Sequence, residues 1–252
     1  MSARVYVSSY SALPESGTRS REGLIPWEGD QTGPADIRRA QVLDRPYPAF
    51  GRLSLPDRLA FSAASVLFAH ADNWRADSTG VCAGVPFGSL STDLRYMETV
   101  VQGFPSPALF SATLPSSPVT EVAIYYKLKG PNRTWAHRGS AGICALDSAV
   151  CLLALGKAEH ALVMYLNALE SRDRTVPFAA EGGPPSPEGY ALLLSAAGGS
   201  GTTRLSMETH DGGKETCADA DGRFYSQVLT ALTNQQTTEI QIETAERSAL
   251  VY

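Results

Sequence analysis

The segment from Gly130 to Glu170, GPNRTWAHRGSAGICALDSAVCLLALGKAEHALVMYLNALE, narrows the accessible folds more than any other part of the chain. It opens on a Gly-Pro-Asn turn, runs through a short β-prone piece (Thr134, Trp135, Ala136) and reaches the tiny residues Gly139, Ser140, Ala141 and Gly142. Beyond them Ile143, Leu146, Val150 and Leu153 recur at helical spacing. Ala145, Ala149 and Ala154 leave little polar surface, and Asp147 is the only charge, so the pattern predicts a buried helix over 141–155. Gly156 ends it, Lys157 complements its negative end, and His160 to Leu166 reads as a buried strand. Strand, tight turn, buried helix and strand make a βαβ unit. Such a turn sets a residue at a helix N-terminus, where free N–H groups and the helix dipole depress a thiol pKa or hold an anion.

The rest of the chain supplies strands and helices to surround this unit. Arg4 to Ser9 alternates and predicts a first strand. Roughly residues 11–54 are rich in Pro, Gly and charge without period, and read as a long loop with one helical turn near Asp36 to Ala40. Leu55-Pro56-Asp57 starts a helix reaching about His70, and Thr79 to Val85 is a short buried strand. The turn Pro86-Phe87-Gly88 delivers a helix from Ser89 to Val101, with Ser89 and Ser91 as possible caps and Asp93 in its first turn. Leu109 to Leu114 reads as a turn and Pro118 to Leu128 as a helix. Glu188 to Leu194 is a strand with Arg204 to Thr209 as its hairpin partner, and a last helix is expected around Phe224 to Thr233.

Several apparent motifs carry nothing. Gly198 to Thr203 lacks the lysine of a phosphate loop, and Asp219 to Gly222 lacks the later glutamate of a calcium loop. Cys82, Cys144, Cys151 and Cys217 show no C-x-x-C spacing and read as small buried hydrophobes, so neither metal nor cofactor is expected. With 43% apolar residues and a net charge of -5, the composition is that of a soluble globule and argues against nucleic acid. No apolar run follows a basic start, and none nears the roughly 20 residues of a membrane span; the expectation is a cytoplasmic chain with no membrane contact.

GPNRTWAHRGSAGICAL resembles the active-site segment of the β-ketoacyl synthases of the thiolase-like superfamily, in which GP, a strand and T-A-C-x-S-G lead into the central helix. The strand, Gly turn and helix at 79–101 and the segment Glu188 to Leu194 resemble the same family in order. The resemblance covers about Val5 to Ser206. It implies an α/β, thiolase-like fold: a single N-terminal-type half with a mixed five-stranded sheet and a buried central helix. Residues 1–252 then form one domain, with a tail from about 207 to 252 beyond the resemblance.

The resemblance places Gly139 where the family has its nucleophilic cysteine and Ala141 at the motif's serine. His70, His137, His160 and His210 match none of the family's histidine motifs. A non-catalytic subunit is therefore implied, like the chain length factors of type II polyketide systems, truncated versions of which occur in aryl-polyene pathways. Such a subunit pairs as a heterodimer with a full-length catalytic ketosynthase, shapes its acyl tunnel, and meets an acyl carrier protein through the complex. Gly88 to Tyr96 follows the family's G-x-x-x-T-x-x-x-F pattern with Tyr for Phe, which puts Ser89, Thr92 and Tyr96 on a tunnel-lining helix face. The same residues also suit an ordinary packed helix. His137 and Arg138 either cap strand ends or, by the family's dimer geometry, meet the partner subunit. Two other functions stay open: a small acyltransferase or hydrolase using Ser140 with a nearby histidine, although R-G-S-A-G lacks the nucleophile-elbow pattern, and a carrier-protein docking scaffold.

Overall fold

The computed structural model describes residues 5–14, 16–20, 22–27, 33–34, 37–138, 140–169, 187–198, 202–210, 228, 230, 232 and 239–245. The chain begins with strand β1 (Val5–Leu13) and the hairpin β2 (Gly17–Ser20) and β3 (Gly23–Pro26). A helical turn α1 (Arg39–Val42) and the long helix α2 (Leu55–Ala69) lead to β4 (Thr79–Gly84). Helices α3 (Leu90–Val101), α4 (Pro107–Ser111) and α5 (Ser117–Tyr126) precede β5 (Asn132–Trp135). Then come α6 (Ala141–Ala154), β6 (His160–Asn167), β7 (Glu188–Ser195), β8 (Thr203–His210) and β9 (Glu239–Ala245).

The nine strands among the described residues join one sheet, ordered β3-β2-β1-β7-β6-β4-β5, with β8 on β1 and β9 on β8. The five-stranded sheet that the resemblance implies is its central run, β1-β7-β6-β4-β5. In that run β4 pairs in parallel with β5 and β6, and β7 runs antiparallel to both β6 and β1. The sheet is mixed, as expected, and four further strands widen it.

Both faces of the sheet are covered, which is why β6 reads as an unbroken apolar run. Leu162, Met164 and Leu166 point to the layer of α2 and α5, while Ala161, Val163 and Tyr165 point to α6. Helix α2 starts at Ser54, whose N–H and hydroxyl both donate to Asp57 Oδ2, at 2.9 and 2.6 Å. Pro56 fits the first turn because no intrahelical bond needs its missing N–H. Ser9 and Ser11 of β1 donate to the α2 carbonyls of Leu67 and Ala63, at 3.1 and 2.6 Å, so strand and helix are joined by hydrogen bonds as well as packing.

Helix α6 packs on β4, β5 and β6 with Ala145, Leu146, Ala149, Leu152 and Leu153 buried. The expected burial of this helix holds for its sheet-facing side and only in part for the other. Ile143, Cys144, Asp147, Val150 and Cys151 on the outer side are only half-buried, and Leu155 beyond its end is 70% exposed. Leu146 is fully buried, so Leu146→Ala is expected to lower stability by ~2 to 5 kcal/mol in a urea melt. An unchanged midpoint would mean that the helix does not carry the core.

Other expectations change in detail. The region 11–54 is not one loop: β1 runs on to Leu13, the β2-β3 hairpin follows, and α1 supplies the helical turn. The segment 109–114 overlaps α4 instead of a bare turn. Strand β8 is no hairpin partner of β7, because both edges of β7 are already taken by β1 and β6; it pairs with β1 and β9. Val228, Thr230 and Leu232 are helical where a last helix was expected, the remainder of that segment lies outside the described residues, and β9 follows it unforeseen.

Candidate functional site

Strand β4 lies between β5 and β6, and the chain leaves β4 for β5, then crosses back through α6 to β6. The order of the parallel strands thus reverses at β4, and the crevice beyond its C-terminal end is where α/β sheets hold ligands. Two segments form that crevice: 85–89, entering α3, and 136–138, which follows β5. They are tied together where Val85 N–H donates to the Trp135 carbonyl at 2.9 Å. Gly88 takes a φ of 55°, the left-handed region that glycine enters without penalty. Trp135 Nε1 donates to Ser148 Oγ at 2.8 Å and anchors the end of β5 to α6.

A cavity of about 270 Å³ lies between these turns, lined by Phe87, Ser89, Asp93, Pro115, Ala136 and Arg138 among others. Ser89 is buried and its hydroxyl donates to the Thr113 carbonyl at 2.5 Å, which pins the α4–α5 connection to the start of α3. Ser89 Oγ also lies 3.1 Å from the Asp93 carboxylate, whose pKa burial pushes up and this contact draws partly back. Arg138 is half-buried with its guanidinium 5.9 Å from the centre of the Phe87 ring. Phe87, read from sequence only as part of a turn, is the residue that the sequence undervalued.

The three residues expected on one tunnel-lining face have different surroundings. Ser89 faces the cavity, Thr92 is buried, and Tyr96 is half-buried with its ring 5.4 Å from that of Phe110 on α4. His137 is exposed, and its Nδ1 lies 3.2 Å from the Arg138 carbonyl oxygen. Gly139, the position matched to the family nucleophile, lies outside the described residues.

Ser140 precedes α6, and its hydroxyl has one partner among the described residues, the Cys144 thiol at 4.0 Å. No histidine joins it there, so the hydroxyl has no general base within hydrogen-bond reach. Incubating the isolated chain with a radiolabelled acyl carrier thioester is expected to leave it unlabelled. Label that disappears in Ser140→Ala would establish an acyl-serine instead.

The thiols are not uniformly in the core. Cys82 is fully buried and its pKa is pushed up to about 12, chiefly by burial, so it is no nucleophile at neutral pH. Cys144 and Cys151 are half-buried, because the outer side of α6 is only partly covered; Cys217 lies outside the described residues. His160 stands at the opposite end of the sheet beside Thr79, with its pKa lowered by burial. His70 pairs with Glu22 at 3.2 Å, and His210 ends β8. Among the described residues no group of three or more His, Cys, Asp or Glu could hold a metal ion, and no helix is long and apolar enough to cross a membrane.

Residues 56–204, more than half of the chain, match the N-terminal domain of the beta-ketoacyl synthases. The chain belongs to the β-ketoacyl synthase family. Its fold is that family's thiolase-like α/β half. Among similar solved structures are the ishigamide ketosynthase/chain length factor (17% identity, TM-score 0.60, covering 76% of this chain and 62% of that one). Another is the ketosynthase ApeO in complex with its chain length factor ApeC from Xenorhabdus doucetiae (19%, TM-score 0.54, covering 77% and 80%). A third is AntDE:AntF, a type II polyketide acyl carrier protein in complex with its ketosynthase (15%, TM-score 0.56, covering 77% and 62%). At these identities the likeness is one of fold, and the chain spans 62% of the length of the first. No curated protein matches the chain by sequence.

Proposed function

We propose that this chain is a non-catalytic chain length factor that pairs with an active ketosynthase and shapes its acyl tunnel, in type II polyketide or aryl-polyene biosynthesis. One observation carries the reading: the chain keeps the synthase half-fold, and among the described residues no nucleophile is set up at the turn into α6. Gly139 stands at the matched position, Ser140 lacks a base, and Cys82 is sealed in the core. Covalent acyl transfer needs an activated nucleophile, so the contribution of this subunit is structural.

Two surfaces support a partner. Among the described residues strand β5 pairs only with β4 and leaves its other edge open, and His137 and Arg138 follow it after Ala136. The second surface is apolar: Met97, Val100, Val101 and Phe104 at the end of α3, then Phe110 and Leu114 around α4, are all exposed, Val101 by 84% and Phe104 by 83%. Six exposed large apolar side chains within 97–114 are the kind of surface that a partner covers. The acidic carrier protein reaches the complex through basic groups of the synthase, because this chain carries a net charge of -5.

The tunnel face narrows to Tyr96 in this account. Ser89 and Thr92 are buried within the chain, whereas Tyr96 leans on Phe110 at the edge of the exposed apolar surface. The test is co-expression with the ketosynthase encoded beside this chain, followed by reconstitution with carrier protein. A stable heterodimer is expected, and Tyr96→Ala is expected to lengthen the acyl chains seen by mass spectrometry at an unchanged first condensation rate. Ser89→Phe is a poor probe, since a ring there would break the bond to Thr113. A heterodimer whose product distribution ignores Tyr96→Ala would mean that the subunit supports its partner without measuring the product.

A further inference from the structure

The cavity at the ends of β4 and β5 contains a carboxylate with no donor of its own. Among the described residues Asp93 meets only Ser89 Oγ, at 3.1 and 3.2 Å. Ser89 has one hydroxyl hydrogen, and its shorter contact, 2.5 Å to the Thr113 carbonyl, takes it. As a carboxylate, Asp93 is therefore half-buried, part of the cavity lining and short of a donor. Burial pushes its pKa up, the mark of a carboxylate that water solvates incompletely. The same lining carries Arg138, which is already engaged within the chain and keeps its guanidinium 5.9 Å from the centre of the Phe87 ring. Arg138 thus supplies no ligand group here, but its charge opposes entry of a cation, as that of Asp93 opposes an anion. Pro86, Phe87, Leu90 and Pro115 make much of the remaining lining apolar. Gly88 keeps the middle of it bare: a Cβ there would stand 3.5 Å from Pro115 Cγ and 3.9 Å from Ala136 Cβ and would narrow the space between them.

We infer that this cavity binds a small neutral molecule of the alcohol class, its hydroxyl donating to Asp93 and its compact apolar body lying against Phe87 and Pro115. An uncharged donor supplies what Asp93 lacks without setting a second charge beside Asp93 or Arg138. A hydrogen bond to a carboxylate is roughly twice as strong as one between neutral groups, so a single hydroxyl fixes the orientation while apolar contact holds the rest. The volume of about 270 Å³ lies just under the roughly 300–1,000 Å³ of ligand pockets and suits a body the size of one carbocyclic ring. The site uses only groups of this chain, so it stands apart from the chain length factor reading.

The experiment is calorimetric titration of the full chain, near neutral pH, with four probes sharing one ring: cyclohexanol; methoxycyclohexane, which keeps the oxygen but has no O–H; cyclohexylamine, a cation; and cyclohexanecarboxylate, an anion. Cyclohexanol is expected to bind saturably, and the ether about ten- to a hundredfold more weakly, the range spanned by a hydrogen bond to a charged group. Both ions are expected to bind more weakly than the alcohol. Asp93→Leu, which keeps the bulk and removes the acceptor, is expected to bring cyclohexanol down to the level of the ether. Absence of saturable cyclohexanol binding overturns the inference, and so does equal binding of alcohol and ether, which would leave Asp93 without a role. Tighter binding of cyclohexylamine than of cyclohexanol would overturn it too, by making this a cation site. If Asp93→Leu melts early, the comparison of the four probes on the unaltered chain still decides.

Discussion

Gly84→Ala is expected to cost more than ~3 kcal/mol, a large fraction of the roughly 5–15 kcal/mol that holds a domain folded. A methyl at this position would sit 2.4 Å from the Ala141 carbonyl carbon, 2.5 Å from its oxygen and 2.5 Å from Gly142 N. These are backbone atoms of the first turn of α6, so no rotamer change relieves the clash. The helix would have to rise off the end of β4, opening the cluster of Leu146, Leu152 and Val163 beneath it. The measurement is a thermal melt read by near-ultraviolet dichroism, where Trp135 reports on the β5–α6 junction. A melt matching that of the parent chain would show that α6 does not rest directly on β4.

If the proposed pairing with a ketosynthase uses the edge of β5, Thr134→Pro is expected to weaken it strongly while sparing this chain's own fold. The carbonyls of Pro131 and Trp135 accept from Val81 and Val85 of the β4 segment, so alternate residues of β5 face β4 and the N–H of Thr134 faces the open edge. Proline there removes an outward donor only, and edge strands tolerate it. Stability should move by no more than ~1 kcal/mol. Association should weaken about a hundredfold, from one lost interfacial N–H bond and the unpaired carbonyl left on the partner, together roughly 2 to 3 kcal/mol. Light scattering of the co-expressed pair reads the outcome. Undiminished association with Thr134→Pro would place the partner elsewhere, and the exposed residues around Val101 and Phe104 would be the next surface to alter.

The central sheet was legible because its strands are buried on both faces and read as apolar blocks, as in His160 to Leu166, and α6 because its small and large residues keep helical spacing. The hairpin of Gly17–Ser20 and Gly23–Pro26 was not: its strands are four residues long, and Leu24 and Ile25 on it are exposed, so no alternation marks an inner face. Pairing of β8 with β1 was hidden for another reason. Sequence proximity favours a hairpin with β7, and only the completed topology shows that β7 has no free edge. At the crevice, the sequence singled out Ser89 and Arg138 but not their neighbours. The contacts of Ser89 with Thr113 and of Arg138 with Phe87 join residues brought together by the turns, and spacing along the chain carries no trace of them.

The place of β1 in the sheet also bears on how the chain is made. It leaves the ribosome before the other described strands, yet Tyr10 of β1 pairs with Leu192 of β7, 182 residues later. At about 5–20 residues per second the interval is of the order of ten seconds or more, long for an apolar strand with open edges. Helix α2 emerges well before β7, and its Ala63 and Leu67 carbonyls accept from Ser11 and Ser9 of the waiting strand. Once α2 has emerged, those two bonds let it cover one face of the waiting strand before β7 is made, which is the order of assembly that this topology favours.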